Sequence, residues 1–408
     1  MSPSSHTNCL LTINGGSSSQ KVALFRIGEG LVRIMAGAVT GIGESGGRTR
    51  GQSTKGETLW DQDVCCVDHP DALNVILREM ARHVDLGDVG AVGHRVVHGG
   101  PDFIKPQRLT ASVEARLHAL APLAPLHMPA NLDGIIAARQ RFPKAVHYAC
   151  FDTSFHASMP AVAQETGLPP GMRDDSIRRY GFHGLSYAFI VEDIEVRAGA
   201  AAAHQRLLVA HLGAGASMAG IHHGQTVDTS MGFSTLAGLP MATRSGDIDP
   251  GLLLYLSLNK DWRPSEIENQ LYHNAGLLGL SGLSGDVQTL LAAKDNPQAR
   301  QALEQFAYQA RKQAGALITA MGGVDRIIFT GGIGENAPAI RSAICQPLSD
   351  LLRIDFDADA NARGASLISK PGSAVIVETV HTDEALMIAR AGRAILDTKS
   401  TQQSRRAS

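Results

Sequence analysis

The most constraining feature of the sequence is a short pattern that occurs once in each half of the chain. Residues 9–14 (CLLTIN) read as a strand, followed by a glycine- and serine-rich turn and a second strand, KVALFRI. The same order returns at residues 207–212 (LLVAHL), with the turn GAGAS and the strand MAGIHHG behind it. Small residues allow a tight turn whose backbone N–H groups can face an anion. One such unit is a common hairpin, but two predict duplicated domains that face a shared ligand.

The rest of the chain predicts strands alternating with helices. Residues 89–97 and 145–151 read as strands, whereas residues 298–320 and 384–396 carry apolar side chains at helical spacing. This alternation indicates an α/β protein. A chain of 408 residues is long enough for two domains, and the last helix could return to the first of them.

Composition excludes several classes of protein. The hydrophobic fraction is 44% and the net charge −2, which argues against a disordered chain and against broad binding to nucleic acid or a membrane surface. Five scattered cysteines without a CxxC make a disulfide framework unexpected. Residues 1–8 lack the layout of a signal peptide, and no apolar stretch is long enough for a transmembrane helix. We therefore expect a cytoplasmic protein.

Common catalytic motifs are missing from the sequence. It has no GxxxxGK[ST], HExxH or GxSxG, so P-loop kinases, zinc hydrolases of that type and typical esterases lose support. What remains is a dispersed set of glycine-rich turns. The segment GGIGEN (331–336) follows an apolar strand and begins a helix, which favours an anion beside the positive helix end.

Five charged or polar side chains lie beside such turns or at the ends of predicted elements. The guanidinium groups of Arg95 and Arg244 could hold a carboxylate or a phosphate, although either could equally form a structural salt bridge. Asp152, where a strand ends, could be a loop cap. His183 lies among arginines, aromatics and glycines in RRYGFHG. Glu384 begins a helix, where an acid is favourable in any case, but could also contact Mg²⁺ through water.

Taken together, these segments resemble the acetate kinase family, part of the superfamily of sugar kinases, Hsp70 and actin. The resemblance runs in family order from residue 9 to about 395. Each motif is moderately specific alone, and ten in order are highly specific. The matching segments are NGGSSS, VGHRVVHGG, PLAPLHMPAN, FDTSFHASMP, RRYGFHG, HLGAGAS, VDTSMGF, TRSGDIDPG, FTGGIGEN and DEALMIA.

The resemblance implies an α/β fold of two ribonuclease-H-like (actin-like ATPase) domains with an interdomain active-site cleft. Residues 1–152 and 385–408 would form the first domain, and residues 153–384 a second, nucleotide-binding and dimerisation domain. The implied reaction is reversible transfer of the ATP γ-phosphate to acetate or another short carboxylate, giving ADP and an acyl phosphate. The implied cofactor is Mg²⁺, for which Mn²⁺ could substitute, and the implied assembly is a homodimer that binds neither nucleic acid nor membrane.

The resemblance also assigns roles to individual residues. Asp152, His183 and Arg244 would be catalytic. Arg95 would hold the carboxylate, with Val97, Leu126 and Phe182 around the acyl group. Asn14 and Glu384 would bind Mg²⁺. The nucleotide would contact Lys21, His211, Leu212, Gly213, Ala214, Gly215, Asp286, Val287, Gln288, Gly331, Gly332, Ile333, Gly334 and Glu335.

The sequence departs from the family pattern at several positions. Ala214 stands where the family commonly has asparagine, and Gln288 where it often has arginine. Tyr187 and Met128 replace a frequent histidine and asparagine, and Thr235 replaces a proline expected near the substrate methyl group. The apolar residues that remain favour a small pocket, and therefore acetate over propionate.

Three alternatives stay open at this point. The first is a propionate or butyrate kinase on the same scaffold, distinguished by the volume at Val97 and Thr235. The second is a catalytically weak nucleotide-binding regulator, suggested by Ala214 and Gln288, although retention of every charged position argues against it. An ATPase switch like actin or Hsp70 ranks lower, because the chain has no added peptide-binding domain.

Overall fold

The computed structural model describes residues 9–16, 18–44 and 46–407, with side chains up to residue 398. Residues 1–8, on which the signal-peptide expectation rests, and Ser17 of the first glycine/serine turn lie outside the described residues. The fold divides into two compact units. The first runs through Ser154 and resumes at Asp383, and the second comprises Phe155–Thr382.

Thirteen strands occur in the described residues, eight in the first unit and five in the second. In chain order they are β1 (Cys9–Gly15), β2 (Ser19–Ile27), β3 (Leu31–Thr40), β4 (Gly47–Ser53), β5 (Thr58–Val64), β6 (Val89–Val96), β7 (Gln107–Arg108), β8 (Val146–Phe151), β9 (Leu207–Leu212), β10 (Ala216–His222), β11 (Gln225–Thr229), β12 (Arg326–Thr330) and β13 (Ile376–Thr379).

Fifteen α-helices accompany them in the described residues. They are α1 (His69–Met80), α2 (Ala111–Ala119), α3 (Met128–Arg141), α4 (Ala161–Gln164), α5 (Gly184–Ala198), α6 (Ala200–Ala203), α7 (Pro250–Asn259), α8 (Pro264–Asn269), α9 (Gly276–Ser281), α10 (Val287–Ala292), α11 (Pro297–Ala320), α12 (Gly331–Asn336), α13 (Pro338–Leu352), α14 (Ala358–Ala362) and α15 (Glu384–Ala407).

The two sheets share one topology. The first has the order β5-β4-β3-β2-β1-β6-β8-β7 and the second β11-β10-β9-β12-β13. In each, a meander of three antiparallel strands is followed by two strands parallel to the first strand of the meander. The repeated strand–turn–strand pattern of the sequence therefore reflects a repeated sheet, which β4, β5 and β7 extend in the first unit.

Helices cover both faces of the first sheet. Leu11 of β1 joins Leu73 and Ile76 of α1 in one buried cluster, whereas the preceding Leu10 faces Gly392 of α15. Successive side chains of a strand point to opposite faces, so α1 and α15 pack on opposite sides. A Cβ at Gly392 would stand 2.2 Å from the Tyr148 hydroxyl, which shows how closely α15 approaches the sheet.

No helix in the described part of the chain is long and apolar enough to cross a membrane.

Candidate active site

In the first unit, three parallel strands end beside one another and place polar side chains at one edge of the sheet. Asn14 lies near the end of β1, Arg95 near the end of β6, and Asp152 directly after β8. Register pairs Arg95 with Cys150, and the Asp152 N–H donates to the Val96 carbonyl at 3.1 Å. The carboxyl ends of parallel strands meet at the same edge, so the fold itself brings these residues together.

Arg95 is the centre of this first-unit cluster, defined here as Asn14, Arg95, Asp152 and Glu384. Its Nε and Nη2 donate to the two oxygens of Asp152 at 2.8 and 2.5 Å. Its Nη1 donates to the Asn14 amide oxygen at 3.0 Å. The Asn14 amide nitrogen in turn donates to the Glu384 carboxylate at 2.6 Å. This network fixes the orientation of the Asn14 amide, since one end needs an acceptor and the other a donor.

Burial makes these charges interdependent. The Asp152 side chain is 1% exposed and that of Arg95 15%. Burial by itself lowers the pKa of the Arg95 guanidinium, but the charges of Asp152 and Glu384 outweigh it, so that this pKa is raised above its ordinary value. One cation thus faces two carboxylates, and the cluster carries a net negative charge.

The remaining first-unit candidates lie near these elements. Lys21 of β2 is exposed and stands opposite Asn14 in the β1–β2 register. Val97 is buried, and its N–H donates to the Asn131 side chain at 2.9 Å. Leu126 is half-buried in the segment before α3. Phe182, the third apolar candidate, is buried in the second unit.

In the second unit, His183 and Arg244 converge on Gly215, in the turn between β9 and β10. A Cβ at Gly215 would stand 3.0 Å from Arg244 Nη2 and 3.3 Å from His183 Nε2. Arg244 is buried and also donates through Nη1 to the Thr235 carbonyl at 2.8 Å. The absence of a side chain at Gly215 therefore leaves room for a small anion beside a guanidinium and an imidazole.

Two further contacts fix His183. Its ring stacks on that of His211, with centroids 4.3 Å apart, and its Nδ1 lies 2.8 Å from the Ser217 hydroxyl. His183 has a positive φ of 59° immediately before α5. This conformation is uncommon for a residue other than glycine and persists only where the surroundings hold it.

The three predicted nucleotide segments adjoin one another in the second unit. A Cβ at Gly331 would meet the Leu212 carbonyl at 2.7 Å, and one at Gly213 would lie 4.0 Å from the Gly332 N–H. The Gln288 amide donates to the Asn336 carbonyl at 3.4 Å. Residues 211–215, 286–288 and 331–336 therefore form one surface, in which close backbone approach requires glycine at position 331.

Several predicted nucleotide residues are engaged in holding that surface. The Glu335 carboxylate accepts from the Gly331 N–H at 2.9 Å and lies 2.6 Å from His381 Nδ1. Burial raises the pKa of Glu335, but its hydrogen bond and charge interaction with His381 outweigh burial, so the pKa is lowered. Asp286 accepts from the N–H and hydroxyl of Thr289 at the start of α10. Ile333 is half-buried and Gly334 buried, whereas Ala214 is exposed.

Comparison with known proteins identifies the family to which the chain belongs. Residues 9–390 match the model of the acetokinase family. The chain belongs to the acetokinase family.

Individual relatives cover nearly the whole chain. An acetate kinase of Rhodopseudomonas palustris (strain TIE-1) is 43% identical over 94% of this chain and 97% of its own length. One of Methylocella silvestris is 42% identical over 96% and 98%. Among solved structures, Porphyromonas gingivalis acetate kinase matches with a TM-score of 0.82 and 35% identity, covering 95% of this chain and all of its own. A propionate kinase from Francisella tularensis matches with 0.84 and 33%, covering 95% and 99%.

The fold expected from the sequence is thereby confirmed: a mixed α/β protein with the actin-like ATPase fold of the acetate and propionate kinases.

Several residues that hold the candidate site are not predicted by the sequence. Ser217 stands out in the sequence only as part of HLGAGAS, and Ser186, which lies 2.9 Å from His211 Nδ1, gives no signal of its own. Arg341 is wholly buried and donates to the carbonyls of Gly334 and Glu335 at 2.9 and 2.8 Å. A lone arginine within helix-like sequence gives no local signal of such a role, because all of its acceptors, which include the Asn361 side chain and carbonyl, lie outside its own helix.

Proposed function

We propose that the protein is an acetate kinase, which transfers the γ-phosphate of ATP reversibly to acetate and yields acetyl phosphate and ADP. The single observation that carries the proposal is the convergence of Arg244 Nη2 and His183 Nε2 on the bare backbone of Gly215. A guanidinium and an imidazole around an open position suit a phosphoryl group that bears charge on its oxygens. Membership of the acetokinase family supports the same reading.

The acceptor needs positioning more than activation. A carboxylic acid has a pKa of about 4 and is an anion at neutral pH, so no strong general base is required. Arg95 would hold the substrate carboxylate, and Asp152 would keep the guanidinium oriented through its two hydrogen bonds. In this scheme Arg95 positions the acyl acceptor, and His183 with Arg244 positions the phosphoryl donor. This positioning lowers the barrier that arises because two anions, the substrate carboxylate and the ATP phosphates, must approach each other.

The first-unit cluster fits Mg²⁺. Asn14 and Glu384 supply oxygen atoms, the cluster is net negative, and hard oxygen ligands are those that Mg²⁺ prefers. No group of three or more His, Cys, Asp or Glu side chains suited to a metal occurs among the described residues. The ion would therefore depend on few protein oxygens, on water and on nucleotide phosphates, which is typical of Mg²⁺ in phosphoryl transfer, and Mn²⁺ could take its place. When bound, it would neutralise charge on the phosphates.

The adjoining surface of residues 211–215, 286–288 and 331–336 supports ATP binding. It combines a tight glycine turn with the start of α12, whose N–H groups can face a phosphate. Lys21 is proposed to contact the nucleotide phosphates. Because Ala214 is exposed and carries no donor, we expect ATP binding without one side-chain hydrogen bond common in the family.

Acyl selectivity has a second candidate. The similarity to the Francisella tularensis propionate kinase supports propionate as the substrate as readily as the similarity to the Porphyromonas gingivalis acetate kinase supports acetate. Val97, Phe182 and Thr235 are all buried, and Leu126 is half-buried, which favours a small acyl group. One methylene shifts selectivity by only about 1–3 kcal/mol, so substitution at Val97 or Thr235 could change the preferred acid.

We also propose that the protein acts as a homodimer in the cytoplasm, where ATP is supplied. Helix α7 (PGLLLYLSLN) has no buried residue. Leu254 and Leu258 are 62% and 74% exposed, and such a contiguous apolar surface is typical of an interface. Light scattering tests the assembly, and Leu254→Lys with Leu258→Lys should yield monomers.

The decisive experiment is acyl phosphate formation, trapped as the hydroxamate, with Mg²⁺, ATP and acetate, propionate or butyrate side by side. Preference for acetate supports the proposal, and preference for a longer acid moves it to the alternative kinase. If the protein binds ATP but forms no acyl phosphate with any of the three acids, the kinase proposal is contradicted and a nucleotide-binding regulator is supported. Asp152→Asn is the matched negative control, provided that circular dichroism shows it folded.

A further inference from the structure

The nitrogen of His183 that faces away from Gly215 belongs to a short chain of buried hydroxyl groups. Nδ1 lies 2.8 Å from the Ser217 hydroxyl, and that hydroxyl lies 2.5 Å from the hydroxyl of Tyr187. Ser217 and Tyr187 are wholly buried. Tyr187 lies one turn into α5, where its N–H donates to the His183 carbonyl at 3.1 Å. Both partners therefore sit on regular elements next to the residue that they hold.

The chemistry of the three groups gives the chain a direction. A serine hydroxyl has one proton to donate, and it can accept others. The tyrosine phenol is the stronger acid of the two hydroxyls, so it is the better donor to the serine oxygen. Ser217 then donates its proton to Nδ1, which must be unprotonated to accept it. In a neutral imidazole the proton then resides on Nε2, the nitrogen that faces the Gly215 position.

We propose that Tyr187 and Ser217 are positioning residues that hold His183 as the Nε2–H tautomer, so that a neutral imidazole donates a hydrogen bond toward the phosphoryl position. The role of that hydrogen bond in phosphoryl transfer rests on the proposed function, whereas the tautomer itself does not. The side chains that face His183 include His211, whose ring stacks on it, and Arg244, which shares the Gly215 position. The Arg244 guanidinium already places a positive charge at that position. A neutral His183 imidazole can donate a hydrogen bond there without adding charge repulsion.

The surroundings hold the Tyr187 end of this chain in place. The His156 ring meets Tyr187 edge-on with centroids 5.4 Å apart. The Nε2 atom of His156 also lies 2.9 Å from the carbonyl oxygen of Phe182, the residue immediately before His183 in sequence. The Tyr187 phenol and the residue that precedes His183 thus both contact His156.

The test is a nitrogen-15 NMR measurement of the His183 ring in the full chain at pH 8.5, well above the ordinary histidine pKa of about 6.5. Resonances are assigned with a His183→Gln sample. Tyr187→Phe and Ser217→Ala each break the chain, and Ser217→Thr retains the hydroxyl. Tyr148→Phe is the matched control, because it removes an equally buried phenol that donates to the Ile388 carbonyl at 2.8 Å in the first unit.

We expect the Nε2–H form in the wild type, Ser217→Thr and Tyr148→Phe, and a mixture of tautomers in Tyr187→Phe and Ser217→Ala. In the kinase assay, Tyr187→Phe should lower kcat about tenfold and change the KM for ATP less than twofold, since the lost effect belongs to the transition state. An Nδ1–H tautomer in the wild type, or an unchanged tautomer in both broken variants, would overturn the inference. A wild type with no kinase activity would instead contradict the proposed function, and the NMR result would still decide the tautomer.

Discussion

The two groups of candidate residues are built on opposite principles. In the first-unit cluster, Arg95 is held by ionised partners, with Asp152 and Glu384 facing one guanidinium. In the second unit, His183 is held by the hydroxyl of Ser217 and by ring stacking on His211. Carboxylates hold the Arg95 guanidinium through ion pairs in the first case, whereas uncharged contacts hold the His183 imidazole in the second. Loss of one ionised partner should therefore cost more in the first arrangement than loss of one neutral partner costs in the second.

The largest expected effect comes from breaking the Arg95–Asp152 pair. Arg95→Gln or Asp152→Asn leaves a buried charge without its main partner, which costs about 3–5 kcal/mol. We expect each variant to lose at least about a hundredfold in kcat/KM for acetate, and the double variant to lose less than the sum of the two. The hydroxamate assay and urea unfolding measure the two quantities.

The second unit offers a matched control for that pair. Arg206 and Asp325 also form a two-bond pair, at 2.6 and 3.0 Å, but both side chains are about one-third exposed. Breaking it should cost about 1 kcal/mol or less and leave turnover intact. An equal loss of stability at both pairs would contradict the role of burial in the comparison.

A second prediction concerns pH. Burial lowers the pKa of His156, the support of Tyr187, to about 4, although the Phe182 carbonyl opposes the shift. The unfolded state therefore binds its proton first, near pH 6.5, and stability present above that pH is lost as the pH falls toward 4. Between pH 7.5 and 5.0 the loss from this residue is about 2 kcal/mol. Urea unfolding at pH 7.5 and 5.0 measures it, and His156→Gln should flatten the dependence. An NMR titration that gives His156 a pKa near 6.5 in the folded protein would refute this prediction.

A third prediction sharpens the role of the open backbone at Gly215. Gly215→Ala pushes a methyl group against Arg244 Nη2 and His183 Nε2, at a cost of about 1–3 kcal/mol. We expect kcat/KM for ATP to fall about tenfold or more. Gly315→Ala in α11 is the control, because a Cβ there meets nothing within 4 Å. It should leave activity unchanged and raise the free energy of unfolding by about 1 kcal/mol. Full activity of Gly215→Ala would show that Gly215 is not part of the active site.

The smallest effect is expected at the position that departs from the family. Ala214→Asn adds a side-chain donor at an exposed turn residue, and one hydrogen bond is worth about 1 kcal/mol. The KM for ATP should therefore fall about fivefold, with kcat nearly unchanged. Steady-state kinetics with varied ATP measures this, and a higher KM would mean that the turn has no room for the asparagine.

The sequence predicts the first-unit cluster better than the second. Asn14, Arg95 and Asp152 each stand at the end of an apolar run, and parallel strands bring such ends together. The repeated strand–turn–strand pattern likewise anticipates the common topology of the two sheets. Glu384 is separated from Asn14 by 370 residues, and no local pattern relates them. Only the family resemblance indicates that pairing.

The contacts of His183 could not be read from the sequence. Tyr187 stands out only as a departure from the family, and Ser217 only as a small turn residue. Their hydrogen bonds depend on rotamers and on how α5 packs against β10, which neither periodicity nor composition encodes. Arg341 illustrates the same limit, because its acceptors belong to segments both before and after its own helix.

The position of Glu384 at the first turn of α15 has a consequence for biosynthesis. A chain emerging from the ribosome carries Asn14, Arg95 and Asp152 early, but it must wait for more than two hundred further residues before Glu384 arrives. Until then Arg95 faces Asp152 without Glu384, and α15 has not yet covered its side of the first sheet. The newly made first unit therefore exposes an apolar sheet face throughout synthesis of the second, a period in which chaperones can bind it.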